Sequence, residues 1–141
     1  MQREDIEMAK LHICVLHKDQ DIMSSLHDYM MDKAWKGGSI VGGVGSVYDM
    51  TLGNPGSYDL KVLHKKKIEA PCEVVSFVGE ITRKEDCAKD MPQHVLDAAT
   101  SPYVIHIHMS LSHEAGAEVN GGSLREGKVL RSLSVFILEH E

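Results

Sequence analysis

Alternation of apolar and polar residues is the strongest pattern along the chain, and it predicts β-strands. It is clearest over residues 103–111, where five apolar side chains would share one face and Val104, His106, His108 and Ser110 the other. The same period of two runs through residues 11–16. Over residues 73–81 it predicts Val75 and Phe77 facing the same way. Branched apolar residues predict further strands over residues 39–52 and 129–138, and a polar strand is expected over residues 58–68.

A helical spacing interrupts the strands once near the N-terminus. Apolar residues recur at helical intervals over residues 21–35, with Asp19 or Asp21 placed to cap the helix. Gly37 and Gly38 supply a left-handed stop. A second, short helix is expected over residues 93–99, because residues 82–101 lack strand character. The pattern therefore predicts an α+β fold, a mostly antiparallel sheet with one principal α-helix.

Length and composition narrow the class of protein. The 141 residues are expected to form one domain over residues 1–141, with its core at about residues 10–138. With 15 basic and 21 acidic residues the net charge is −6, which disfavours polyanion binding by bulk charge. Three cysteines without a CxxC pair favour a reducing compartment. The N-terminus lacks the apolar stretch of a signal peptide, and we expect a cytoplasmic protein without a membrane partner.

His106 and His108 are the residues whose spacing suggests chemistry. Two positions apart on a strand, their side chains leave the same face roughly 6.6 Å apart along it. Two imidazoles so placed can hold one zinc ion with a third ligand from elsewhere in the fold. The alternative is that both are polar residues on a solvated sheet face. The spacing leaves both interpretations open.

Other motifs carry weaker signals. Lys65, Lys66 and Lys67 form a basic run that could contact DNA phosphates, although a solvated charge run is the alternative. Gly42, Gly43 and Gly45 lack the Gly-Lys-Ser/Thr ending of a phosphate loop, which favours a role in shaping a strand. The spacing marks no set of nucleophile, base and orienting residue.

Four segments taken in order resemble the plants-and-prokaryotes-conserved (PPC) domain, known from single-domain prokaryotic proteins and from plant AT-hook proteins. The segments are residues 39–47, 73–81, 106–112 and 121–127. The resemblance implies an α+β domain around an antiparallel sheet, assembled as a homotrimer. It also implies DNA binding as the family's expected function, although the Arg-Gly-Arg-Pro hooks of the plant members are absent from this chain.

The resemblance further implies a metal site, for zinc, made by three histidines. His106 and His108 match two of them, while Ser123 stands at the third position, where serine is a poor zinc ligand. His113, or a histidine from a neighbouring subunit, could substitute. We therefore take His106 and His108 as metal candidates and extend the ligand pocket to Ser123, Glu73, Glu126 and His113.

Three hypotheses follow from these residues. The first is a trimeric binding module for a partner, a small ligand or DNA, with no catalytic residue assigned. The second is a zinc-dependent enzyme in which Glu73 or Glu126 acts as general base. The third is DNA binding through a trimer surface that contains residues 65–67. The sequence favours a binding module over an enzyme.

Overall fold

The computed structural model describes residues 3–5 and 8–140, and the strands of the second range form one sheet over one hydrophobic core. Within these residues there are two α-helices, α1 at Ile22–Lys33 and α2 at Gln93–Ala98. Single turns of 3-10 helix lie at Lys84–Asp86 and Glu114–Gly116. The six strands are β1 Met8–His17, β2 Gly37–Pro55, β3 Leu63–Ile68, β4 Cys72–Arg83, β5 Tyr103–His113 and β6 Glu118–His140.

The strands form one antiparallel sheet in the order β1-β6-β5-β4-β2-β3. Strand β2 also pairs with β6, so that β2, β4, β5 and β6 close into a ring. The ring requires long, bent strands, and β2 and β6 have 19 and 23 residues. The predicted α+β class with a mostly antiparallel sheet is confirmed, as is the short helix before β5.

The core joins the buried side chains of these strands with those of β1 and α1. The predicted face of β5 is confirmed, because its alternate apolar side chains from Tyr103 to Leu111 are all buried. The prediction for β4 was wrong in one respect, because Phe77 is buried while Val75 is 61% exposed. A register shift between Val74 and Ser76 separates the two residues and breaks the period of two.

Helix α1 is shorter than predicted. Asp21 is its N-cap, and its carboxylate accepts a hydrogen bond from the backbone N–H of Ser24 at 3.0 Å. The helix ends in a left-handed residue, but that residue is Ala34 (φ 56°) and not Gly37 or Gly38. The two glycines instead begin β2. A Cβ on Gly37 would lie 2.6 Å from the carbonyl oxygen of Ile81 on the adjacent strand.

Several strand boundaries also differ from the predictions. Strand β3 begins at Leu63, since residues 58–62 belong to the loop that follows β2. Strand β2 continues to Pro55, through most of the predicted turn at residues 53–56. The strand predicted over residues 129–138 is part of a longer strand, β6, which begins at Glu118. Among the described residues, no helix has the length and apolar character needed to cross a membrane.

Candidate functional site

The two histidines lie on the outer face of β5. Ile105 and Ile107 are buried in the core, so strand alternation turns the side chains of His106 and His108 outward. Their register partners on β4 are Glu80 and Val78, and His108 is also opposite Ser123 on β6.

The imidazole rings are in direct contact. The Nε2 atoms of His106 and His108 are 3.1 Å apart, and the ring planes are almost perpendicular at 89°. At this distance one ring can donate its Nε2–H to the other. Burial lowers the pKa of His106, with the nearby His108 acting in the same direction, so the neutral ring with a free nitrogen lone pair is favoured.

A cavity of about 480 Å³ opens beside these rings. It is lined by the end of β2, the first part of β6, the loop after β2, the start of β3, and α2 with the residue before it. His94, at the start of α2, lines this cavity together with both histidines of β5. The pattern of the sequence did not single out His94. Its approach to the histidine pair depends on how α2 packs across the sheet.

Of the other candidates, Ser123 lies in this cavity. Its hydroxyl donates a hydrogen bond to the carbonyl oxygen of Gly53 at 3.1 Å, which fixes the side chain between β2 and β6. Glu126, further along β6, borders an adjoining cavity of about 200 Å³ that also reaches His106. Both residues are therefore close to the histidine pair in the fold.

Glu73 and His113 lie at a different place. They border an open cavity of about 740 Å³ near the junction of β4 and β5 with the turn before β6, and neither lines the cavity beside the histidine pair. The Nε2 of His113 accepts a hydrogen bond from the side-chain amide of Asn120 at 2.9 Å. The structure does not bring His113 to the third ligand position.

The basic run forms part of the edge strand β3. Lys65 and Lys67 face one side of the sheet and Lys66 the other, and all three side chains are exposed. The ammonium group of Lys67 lies 3.4 Å from the Glu69 carboxylate. Lys65 is the register partner of Gly53, which lines the histidine cavity, so this edge of the sheet adjoins the cavity.

The histidine pair fits two positions of a zinc site. Nitrogen ligands at the usual zinc distance of about 2.0–2.1 Å are about 3.3 Å apart in a tetrahedral arrangement, close to the 3.1 Å between the two Nε2 atoms. Among residues 3–5 and 8–140, no group of three histidine, cysteine or acidic side chains is close enough to hold a metal ion.

The comparisons with known proteins agree with this fold. The model of the Plants and Prokaryotes Conserved (PCC) domain matches residues 4–141. A plant- and prokaryote-conserved (PPC) protein from Pyrococcus horikoshii has 18% sequence identity and a TM-score of 0.78, over 100% of this chain and 85% of its own. A metal-containing protein from Archaeoglobus fulgidus has 23% identity and the same TM-score, over 100% and 86%.

A third solved structure, from Bacteroides thetaiotaomicron, is described as a putative DNA-binding protein. It has 18% identity and a TM-score of 0.68, over 96% of this chain and 83% of its own. No curated protein sequence matches the chain. These solved structures show the fold, and the family model covers nearly every residue. The chain belongs to the Plants and Prokaryotes Conserved domain family, as the four resembling segments predicted.

Proposed function

We propose that this protein is a homotrimeric binding module whose working site is the cavity beside His106 and His108, and that these two side chains hold a zinc ion. The observation that carries the proposal is the 3.1 Å separation of the two Nε2 atoms on the wall of a cavity of about 480 Å³. A neutral His106, favoured by its lowered pKa, is the protonation state that a metal ligand needs. The structure of similar fold from Archaeoglobus fulgidus is described as a metal-containing protein, which supports metal binding by this chain.

We expect the remaining ligands of the zinc ion to come from groups that line this cavity. His94 lines it and is our candidate for a third protein ligand, after a movement of α2 toward β5. The hydroxyl of Ser123 also lies in the cavity, where it already donates a hydrogen bond to the carbonyl oxygen of Gly53. The proposal includes no catalytic group, because Glu73 borders another cavity and Glu126 only the adjoining one.

The metal content of the purified protein tests this site. We expect the gel-filtered full chain, after incubation with zinc, to retain about one zinc per chain by elemental analysis. The variant that combines His106→Ala and His108→Ala should lose it, whereas His17→Ala, which removes an exposed histidine on β1, should not. Equal zinc in the wild type and the double variant, or none in either, would contradict the proposal.

The homotrimer is supported by an exposed apolar surface. Leu11, Ile13 and Val15 project from β1 and are 57%, 59% and 47% exposed. The register continues this outer face through Phe136 on β6 and Val44 on β2. Exposed aliphatic side chains grouped on one face in this way are typical of a protein–protein contact. We assign it to other copies of the same chain.

DNA binding is the second candidate function. The exposed side chains of Lys65, Lys66 and Lys67 on an edge strand support it, as do two solved structures of this fold described as putative DNA-binding proteins. The net charge of −6 opposes it, so contact would be confined to this edge.

Retention on immobilised duplex DNA at low salt tests this second function. If β3 contacts phosphates, retention should weaken steeply as salt rises. Changing Lys65, Lys66 and Lys67 together to Glu should then abolish it. The same three-charge reversal at Lys10, Lys18 and Lys128, exposed lysines elsewhere, is the control. Equal retention of the two triple variants would exclude β3 as the contact.

A further inference from the structure

Apolar side chains from two separate parts of the chain line the cavity beside the histidine pair. Leu60, Val62 and Leu63 come from the loop after β2 and the first residue of β3, and Pro92 and Val95 from the start of α2. The volume of about 480 Å³ lies within the range of small-molecule sites in proteins. A ligand that contacts these side chains gains free energy in proportion to the apolar surface that it buries against them.

The loop between β2 and β3 is held in one shape by its own hydrogen bonds. The hydroxyl of Ser57 donates to the carboxylate of Asp59 at 2.6 Å and accepts the backbone N–H of Val62 at 3.2 Å. The backbone N–H of Gly56 donates to the carbonyl oxygen of Val62 at 2.7 Å, which closes the loop. Leu60 and Val62 are 42% and 47% exposed and line the cavity. Because the loop is already ordered, these side chains bind an apolar ligand at a low entropic cost.

None of the described residues that line this cavity carries a fixed charge. Aspartate, glutamate, lysine and arginine make up 26% of the chain, and none of them belongs to the described lining. A charged or hydroxyl-rich group placed against Leu60, Val62 and Val95 would therefore lose its hydration without gaining a partner. Sugars and nucleotides carry polar groups over most of their surface, so this lining disfavours them.

The same cavity also contains side chains that form hydrogen bonds. They are Asn54, His94, His106, His108 and Ser123. A hydroxyl group on a ligand both donates and accepts hydrogen bonds, so it can bond to an imidazole in either tautomer or coordinate a zinc ion held there. The lining therefore accommodates a ligand with one polar end.

We propose that this cavity binds a small amphipathic molecule with one polar end, whose uncharged hydrocarbon end lies against Leu60, Val62 and Val95. The inference rests on the proposed function in taking this cavity as the working site, and adds the chemical class of its ligand. The assignment concerns the hydrocarbon end of the ligand. It therefore holds whether or not zinc occupies the histidine pair.

Calorimetric titration of the full chain, zinc-loaded and metal-free, tests the inference with matched probes. Octan-1-ol, octane-1,8-diol and (8-hydroxyoctyl)trimethylammonium share a hydroxyl end and the same hydrocarbon chain, and they differ only at the other end. Either orientation of the second and third probes leaves a polar group against the apolar side chains. We expect octan-1-ol to bind at least about tenfold more tightly than the other two. Equal or weaker binding of octan-1-ol, or no binding of any probe, would overturn the inference.

A pair of matched variants locates the hydrocarbon end of the probe. Val62→Glu places a carboxylate in the cavity lining at a half-exposed position that tolerates a polar side chain. It should weaken octan-1-ol binding at least about tenfold and strengthen binding of the trimethylammonium probe, which gains a counter-charge. Val119→Glu makes the same change at an exposed valine on β6 that does not line the cavity, and should change neither affinity. Equal affinities in the two variants would place the probes elsewhere and contradict the proposal.

The two proposals fail separately. If zinc is retained through His106 and His108 but octan-1-ol binds no more tightly than the other probes, the proposed metal site stands and the ligand class is wrong. If zinc is not retained but octan-1-ol binds with the expected preference and is weakened by Val62→Glu, the ligand class stands and the metal site is wrong.

Discussion

Gly79 shows how one residue fixes the position of the histidine pair. It is the register partner of Ile107, and a Cβ at this position would overlap the backbone carbonyl oxygen of His106. Backbone atoms of a paired strand cannot move aside as a flexible side chain can. Gly79→Ala should therefore lower the free energy of unfolding by about 2–3 kcal/mol and displace β5 at His106, measured by denaturant unfolding and by zinc affinity.

A second glycine provides the control for this prediction. At Gly121, on β6, the nearest atom to an added Cβ is the carbonyl oxygen of Met109 at an ordinary 3.6 Å. Gly121→Ala should change the free energy of unfolding by no more than about 0.5 kcal/mol. If the two substitutions cost the same, close approach of the backbones is not what requires glycine at position 79.

His27 makes the stability of the fold depend on pH. This residue of α1 is only 4% exposed. Its Nδ1 lies 2.5 Å from the hydroxyl oxygen of Ser101. The same hydroxyl accepts a hydrogen bond from the backbone N–H of Tyr103 at 3.2 Å. Burial lowers the pKa of His27, so the folded protein keeps the ring neutral at a pH where the unfolded chain protonates it. This contribution to stability is fully present above about pH 6.5 and is lost as the pH falls below it.

Unfolding measured between pH 7 and pH 5 checks the role of His27. We expect the free energy of unfolding to fall over this range in the wild type, and to fall less steeply in His27→Gln, which cannot take up the proton. His17→Gln, at an exposed site on β1, should keep the wild-type slope. An unchanged slope in His27→Gln would assign the pH dependence to other groups.

The residues of the site differ in how far sequence could reveal them. His106 and His108 were predicted to share an outward face because strand alternation is a local property, and the structure confirms it. His94 carries no such local signal, since its place beside them depends on α2 packing across the sheet. His113 is near in sequence to His108 but far from the cavity, because β5 ends there and the chain turns into β6.

At the scale of the element, the C-terminus of α1 gives a stabilising substitution. Ala34 holds a left-handed conformation with φ 56°, and its N–H donates to the carbonyl of Met30 at 2.8 Å. Alanine is strained there, whereas glycine is not. Ala34→Gly should therefore raise the free energy of unfolding by about 1 kcal/mol.

A substitution at the N-terminus of the same helix should change the free energy of unfolding in the opposite direction. Asp21→Ala removes the carboxylate that accepts the N–H of Ser24 and should lower the free energy of unfolding by about 1 kcal/mol. Thermal unfolding of both variants checks the two signs together. A loss of stability in Ala34→Gly would mean that the backbone freedom gained in the unfolded chain outweighs the relief of strain.

The elements themselves were predictable where their pattern is local and regular. The faces of β5 followed from periodicity, and the position of α2 followed from the lack of strand character over residues 82–101. The pairing of Gly37 and Gly38 with β4 could not be predicted in this way, because two glycines after a helical pattern are also typical of a helix C-terminus. Bulges such as that between Val74 and Ser76 shift a face without a marker residue in the sequence.

At the scale of the whole molecule, no other element among the described residues covers the outer face of β1. Leu11, Ile13 and Val15 lie on an edge strand that pairs only with β6, and each is about half exposed or more. Exposed aliphatic side chains on a free edge favour association between chains. This face, together with the family's expected assembly, leads us to predict a homotrimer.

Sedimentation equilibrium checks the assembly. The wild type should sediment at three times the chain mass of 15.6 kDa at micromolar concentration. Ile13→Glu should dissociate it, raising the dissociation constant at least about a hundredfold, because the carboxylate would be buried without a partner. Met31→Glu introduces the same charge at an apolar residue of α1 that is 54% exposed, and should leave the mass unchanged. A wild type at the mass of one chain, or equal dissociation in both variants, would contradict assembly through the outer face of β1.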